Sequence, residues 1–151
     1  MSKARVKWAG DMTFVGESPS GHGVVMDASP DVGGRNLGVR PMEMVILGLG
    51  GCTSIDVMMI LKKMRQQVTD CWVEIDSHRA DDHPKVFDRI HVHFVVTGVG
   101  LDPKKVGHAV ELSAEKYCSV SAMLAKTAEM THDFEVVEAG AASPTETAAE
   151  A

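Results

Sequence analysis

At 151 residues the chain is one domain's worth, long enough to bury a core without disulfide or metal staples. Its composition, 44% hydrophobic and 24% charged, is ordinary for a globular protein. A formal net charge of -6 gives no electrostatic pull toward nucleic acid or an anionic membrane. The three cysteines, Cys52, Cys71 and Cys118, are an odd number without short spacings, which argues against a disulfide framework and excludes a C-x-x-C zinc site; no metal or bound cofactor is expected.

The opening MSKARVKW has no apolar core of a signal peptide, so a cytoplasmic location is expected. Val6, Trp8 and Phe14 lie in short alternating runs around Gly10-Asp11, which predicts a hairpin, and HGVVMD (22–27) predicts a third strand. Residues 28–40 are rich in Gly, Pro, Asp and Asn and read as a loop. Pro41 suits a first helical position and Glu43 a first turn, where the helix dipole favours a negative charge. From Met42 to Met64 the chain is apolar nearly all round, the pattern of a helix covered on most sides, with Lys62, Lys63 and Arg65 suiting its C-terminal end. One small sheet cannot cover such a helix, whereas a dimer can.

Val68 to Ser77 alternates, with Cys71, Val73 and Ile75 on one face. After the polar RADDHPK, a second long strand, Val86 to Thr97, turns Ile90, Val92, Phe94 and Val96 toward a core. Asp102-Pro103 opens a helix with Val106, Val110, Ser113 and Tyr117 on one stripe. A second helical pattern follows Cys118, with Val120, Met123, Leu124 and Thr127 on its stripe, and HDFEVVE (132–138) is a last strand. Residues 139–151 are expected to be a disordered tail behind a single domain of 1–138. The order βββ–α–ββ–αα–β predicts an α+β fold on antiparallel strands around a central helix.

The stretch GLGGCT (48–53) inside that helix poses the functional question. As a phosphate loop it lacks both the G-x-G-x-x-G spacing and the lysine of G-x-x-x-x-G-K, and an antiparallel hairpin follows instead of a parallel strand. As a membrane span, Met44 to Leu61 carries Asp56 within it, a residue that at a helix centre costs about 2.5–3.5 kcal/mol, and the strands need this helix as their core. As a helix interior, three glycines forgo roughly 3 kcal/mol relative to alanine. They make room either for another helix or for a substrate beside Cys52. Cys71, in phase with Val73 and Ile75, reads as an inert core thiol. Cys118, at a junction of two helical patterns, reads either as a buried small residue or as a thiol activated by a helix N-terminus. His91-x-His93 is a possible metal pair without a third ligand in phase, and reads as an exposed sheet face.

PMEMVILGLGGCTSIDVMMIL followed by LSAEKYCSVSAML resembles the OsmC/Ohr family of osmotically inducible and organic hydroperoxide resistance proteins, and within it the YhfA-like branch. SGHGVVMD, VTGVGL and THDFEVVE fit as well, extending the resemblance from about Arg5 to Glu138. The resemblance implies an intertwined homodimer, with antiparallel sheets wrapped around long central helices and sites at the subunit interface. It implies a thiol peroxidase acting on hydrophobic organic hydroperoxides, with Cys52 peroxidatic, Cys118 resolving and an external dithiol, lipoyl-type in some relatives, as reductant. Glu43 matches the family's Glu, which orients an arginine that stabilises the thiolate. Three positions depart from the pattern. Ser119 stands where the family's peroxidases carry proline, and the Glu43–Cys52 spacing is one residue shorter. Arg35 and Arg40 are the available counterparts of the arginine, and neither aligns closely. On a straight helix, nine residues turn through about 900°, which sets Glu43 opposite Cys52. The alternative function is non-catalytic binding of a small apolar ligand at the dimer interface.

Overall fold

The computed structural model describes residues 2–140, so all but the first two residues of the expected tail lie outside the described residues. The chain divides after Leu47 into two compact units. In the first, strands β1 (Arg5–Trp8), β2 (Phe14–Glu17) and β3 (Gly23–Met26) form an antiparallel meander in which Trp8 faces Phe14 and Phe14 faces Met26. The β1–β2 turn is closed by Gly10 and Asp11, both at positive φ (103° and 46°), the conformation this residue pair was expected to supply.

Asp27, only 2% exposed, then organises the loop expected over 28–40. Its carboxylate accepts backbone N–H groups from Ala28 at 2.8 Å and from Arg35 and Leu37 at 3.1 Å, so one side chain replaces the strand ladder that a loop lacks. The loop ends at helix α1 (Pro41–Lys63), which begins with the expected proline.

The second unit holds the long hairpin of β4 (Gln67–Arg79) and β5 (Phe87–Val99), pairing Val73 with Phe94. Ile90, Val92, Phe94 and Val96, the residues expected to face the core, are each no more than 5% exposed. Helix α2 (Pro103–Leu112) starts with Asp102 accepting the Lys104 N–H at 3.0 Å. A π-turn, Ser113–Tyr117, the short helix α3 (Ser119–Leu124) and strand β6 (Glu129–Glu138) complete the unit.

Three details differ from the sequence expectation. Strand β6 lies parallel to β5, not antiparallel, because the α2–α3 segment forms a crossover that returns the chain to the same end of the sheet. It also starts at Glu129 rather than His132, since Glu129, Met130 and Thr131 pair with Arg89, Ile90 and His91. The predicted helical stripes shift as well. The π-turn inserts an extra residue into the helical phase, so Val106, Val110 and Ser113 are buried while Tyr117 is 50% exposed. Beyond it, Cys118 and Ser121 face inward and Met123 faces out.

Helix α1 has two apolar faces within the second unit. Leu49, Val57 and Leu61, four-residue multiples apart with Thr53 between them, are completely buried, and each such side chain contributes about 1.5–3 kcal/mol by leaving water. Gly50 lies against β4, where an added Cβ would sit 3.2 Å from both Val73 and Ile75. About half a turn round, Ile55 (62% exposed), Met58 and Met59 are left uncovered among the described residues, in keeping with the expectation that one small sheet cannot cover this helix on every side. A Cβ at Gly48 or Gly51 would meet nothing within 4 Å. The helix is long and apolar enough to cross a membrane, with a mean hydropathy of 2.0, but its buried stripe makes it the core helix of this unit.

The Asp27 cluster has a pH signature. Leu37's N–H, with help from the N–H groups of Arg35 and Ala28 and the charge of Arg35, holds the Asp27 carboxyl below its ordinary 3.8 against the opposing effect of burial. A depressed folded-state pKa gives stability that is present above the unfolded value and lost as pH falls through the folded one. Asp27→Asn should therefore be less stable than wild type at neutral pH, with the gap closing below the ordinary value of 3.8. Denaturant unfolding of both proteins across the acid range checks this; a gap that stays constant to the lowest pH contradicts it.

Candidate functional site

Helix α1 presents Cys52 and Asp56 four residues apart, hence on one face one turn apart, with buried Thr53 beside them. The π-turn supplies Ser113, which is completely buried. The Thr53 and Ser113 hydroxyls lie 2.8 Å apart, and Ser113 Oγ also reaches the Thr53 carbonyl at 3.2 Å and Asp56 Oδ2 at 3.3 Å. With one proton to give, Ser113 serves one acceptor at a time while the Thr53 hydroxyl donates to it. The same π-turn closes with the Cys118 N–H donating to the Ser113 carbonyl at 2.9 Å. The bond that pins the turn to α1 therefore also sets the position of Cys118.

Cys118 is the N-cap of α3, and its Sγ accepts the Ser121 N–H at 3.4 Å. The outcome is a compact triad: Cys52 Sγ, an Asp56 carboxylate oxygen and Cys118 Sγ all lie within 4.8 Å of one another. Both cysteines are free thiols, Cys52 half-buried and Cys118 only 3% exposed. Burial pushes the Cys118 thiol up; hydrogen bonding from Ser121 pulls against this, and the neighbouring Cys52 adds a further push. No lysine or arginine is among the groups acting on Cys118, and among the described residues no ion pair involves Asp56. A pocket of about 170 Å³ has Thr53, the sequence neighbour of Cys52, and Ser121, the partner of Cys118, in its wall together with Val92, Phe94, Met130 and His132; none of Cys52, Asp56 and Cys118 lines it.

The remaining predicted residues sit elsewhere. Glu43 Oε2 accepts the backbone N–H of Arg40 at 2.8 Å, so the side chain at the third helical position reaches back over the start of α1. The Arg40 guanidinium is taken up by the Gly38 carbonyl at 3.0 Å and Asn36 Oδ1 at 2.9 Å, and Arg35 pairs with Asp11 at 3.2 Å. Ser119, in place of the family peroxidases' proline, opens α3 directly after Cys118. Cys71 is half-buried in β4, its thiol pushed up by burial and by the Asp70 charge. His91 and His93 share Asp133 as an acceptor on the exposed sheet face, at 3.2 and 2.5 Å. A wider hollow on that face, about 410 Å³, is lined by polar groups including Asp76, His78 and His91, and no thiol reaches it.

Sequence reasoning missed Asp56, Ser113 and Ser121 as site residues. A signal for Asp56 was present: a lone carboxylate within an eighteen-residue apolar run has to find a polar partner, and it lies at helical spacing from Cys52.

Two thiols held together by a core helix and a crossover helix, on this α+β frame, define a dithiol protein. The chain belongs to the OsmC-like protein family, whose sequence pattern it matches over residues 33–133, and to its YhfA-like branch. It is 49% identical over 137 residues to Protein YhfA of Escherichia coli K12, covering 91% of this chain and 99% of that protein. The crystal structure of a hypothetical protein from Aquifex aeolicus VF5 superposes with a TM-score of 0.80 at 30% identity, covering 91% of this chain and 97% of that one. The organic hydroperoxide resistance protein OhrB of Bacillus subtilis shares the fold at 18% identity, with a TM-score of 0.60 and coverage of 89% and 98%.

Exposure and thiol character give an order of reactivity. Iodoacetamide at neutral pH should alkylate Cys52 first, with Cys71 and Cys118 slower, as peptide mapping over a time course would read. Cys118 labelled ahead of Cys52 contradicts the geometry described here.

Proposed function

We propose that the protein is a cysteine-based thiol peroxidase that reduces small hydrophobic hydroperoxides. The observation that carries this reading is the approach of the Cys52 and Cys118 sulfurs to within 4.8 Å from elements 66 residues apart in sequence (118 minus 52), with both left as free thiols. Cys52, the more accessible of the two, attacks the peroxide: its sulfur takes the distal oxygen, the O–O bond breaks, and the alcohol leaves with the proton, giving a Cys52 sulfenic acid. The buried Cys118 thiol then condenses with it, releasing water and forming a disulfide. Closing the pair to a bond of about 2.05 Å needs side-chain rotation over the remaining gap. An external dithiol returns both sulfurs to thiols by exchange. The pocket of about 170 Å³, with Val92, Phe94 and Met130 in its wall, suits a small apolar substituent on the peroxide. Relatives in fold that are named organic hydroperoxide resistance proteins support the same chemistry.

The working unit in this reading is a homodimer. Ile55, Met58 and Met59, together with the open space beside Gly48 and Gly51, make a flat apolar strip on α1 that suits a second copy of the helix at close approach. Glu43 contributes through the start of the helix that it caps, upstream of Cys52. A second reading, non-catalytic binding of a small apolar ligand, draws on the absence of a cation among the groups acting on Cys118. It predicts an organic molecule that copurifies and no dithiol-dependent loss of peroxide.

Cys52→Ser should reduce dithiol-dependent consumption of an organic hydroperoxide to the uncatalysed level. Cys118→Ser should react once and accumulate a sulfenic acid that dimedone traps. Wild-type turnover by Cys52→Ser would sink the proposal. Ile55→Glu should shift the dimer toward monomer or aggregate in light scattering; an unchanged dimer mass would put the interface elsewhere.

A further inference from the structure

The triad has a second chemical capacity that neither its sequence spacing nor the peroxidase reading contains. Two thiols and a carboxylate converge, and no lysine or arginine among the described residues pairs with the carboxylate. Such an arrangement is electrostatically incomplete for thiolates: the carboxylate disfavours a second and third negative charge beside it unless a cation joins them. We propose that Cys52, Asp56 and Cys118 form a binding site for one thiophilic divalent cation, of which zinc is the type, with water in the fourth position.

The donor chemistry fits. Zinc takes cysteine sulfur at about 2.3 Å and carboxylate oxygen at about 2.0–2.2 Å in a tetrahedron, which sets the donors about 3.5–3.8 Å apart. The three donor atoms already lie within 4.8 Å of one another, so movements of about 1 Å close the site. The supports that metal ligands ordinarily have are also in place. Ser113, fixed by Thr53 in the buried interior, holds Asp56 Oδ2 at 3.3 Å, and the Ser121 N–H is directed at Cys118 Sγ. The cysteines come from α1 and from the N-cap of α3, and Asp56 from the next turn of α1. Three protein donors with an open fourth position are the arrangement of an exchangeable site, not of a closed structural one.

The proton balance gives the site a pH dependence. Binding one divalent cation to two thiols and one carboxylate releases two protons to solvent, because thiolates are the ligands. The same two sulfurs cannot bind the cation and share a disulfide, so cation binding and oxidation of the pair exclude each other.

Cobalt(II) titration of the reduced full-length protein tests the site directly, whether or not the protein turns over hydroperoxide, so failure of this proposal and failure of the peroxidase reading are separable. The expected result is one equivalent of cobalt bound per chain with release of two protons per site, sulfur-to-cobalt charge-transfer absorption and tetrahedral d–d bands, the cobalt then being displaced stoichiometrically by zinc with no further proton release. Cys71→Ser should retain the spectrum. Cys52→Ser and Cys118→Ser should each lose it, with far-ultraviolet circular dichroism reporting that they fold. Asp56→Asn should keep the charge-transfer bands and bind at least about 10–100-fold more weakly, because losing a ligand costs no less than losing an outer-shell partner of one. The proposal is overturned by a wild-type protein without the charge-transfer bands, by bands that survive either cysteine substitution, or by an affinity that Asp56→Asn leaves unchanged.

Discussion

Thr53 and Ser113 meet across a 2.8 Å hydrogen bond with neither residue more than 2% exposed, and both cysteines take their places from it. A bond of this kind contributes about 0.5–1.5 kcal/mol net, whereas a buried partner left alone costs about 1–3 kcal/mol, so neither hydroxyl is readily given up. Because Ser113 opens the π-turn and its carbonyl takes the Cys118 N–H, holding Ser113 against α1 also holds Cys118 against Cys52. The extra residue in the turn rotates Tyr117 out and Cys118 in, a phase shift that a regular helix from Pro103 onward would not produce. Local irregularity, a buried hydroxyl pair and the sulfur pair are thus successive consequences of one packing arrangement.

The three glycines of GLGGCT divide between two tasks. Gly50 lets α1 settle on β4, where a side chain would press on Val73 and Ile75, and Gly48 and Gly51 leave the other side flat. Neither task places a glycine against the sulfur pair. The glycines therefore serve close packing, on one side with the chain's own sheet and on the other with the second copy that the proposed dimer supplies. In the proposed peroxidase, space for a substrate is offered instead by the pocket with Thr53 and Ser121 in its wall. The composition of the helix follows: a stripe for each neighbour makes it apolar nearly all round, and two of the polar residues in its middle, Thr53 and Asp56, are both hydrogen-bonded to Ser113.

Much of this was legible in the residues. Alternation placed Ile90, Val92, Phe94 and Val96 in the core, Pro41 and Asp102-Pro103 marked helix starts, and Gly10-Asp11 marked the turn. What period and propensity could not carry was non-local. The parallel β5–β6 pairing depends on a crossover, and the inward turn of Cys118 depends on a π-turn that no propensity encodes. The meeting of Cys52, Asp56 and Cys118 joins residues far apart in the chain. Short-spacing rules for metal sites are blind to such a set, since they test neighbours in sequence rather than in space. The loop arginines illustrate the reverse limit. Arg35 and Arg40 suggested themselves by position, yet Asp11, Gly38 and Asn36 engage them in organising the loop around Asp27.

The electrostatics set the terms of the chemistry. Burial and a neighbouring thiol raise Cys118, a direction that agrees with the resolving role given to it in the proposed peroxidase, where Cys52, the more accessible of the two, makes the first attack. The most direct measurement is a non-reducing peptide map of the wild-type protein after one equivalent of an organic hydroperoxide. The account predicts loss of two hydrogens from the intact mass, a single linked peptide pair containing Cys52 and Cys118, and Cys71 still free. Oxidation that leaves Cys52 and Cys118 unlinked, or that joins either to Cys71, would contradict it.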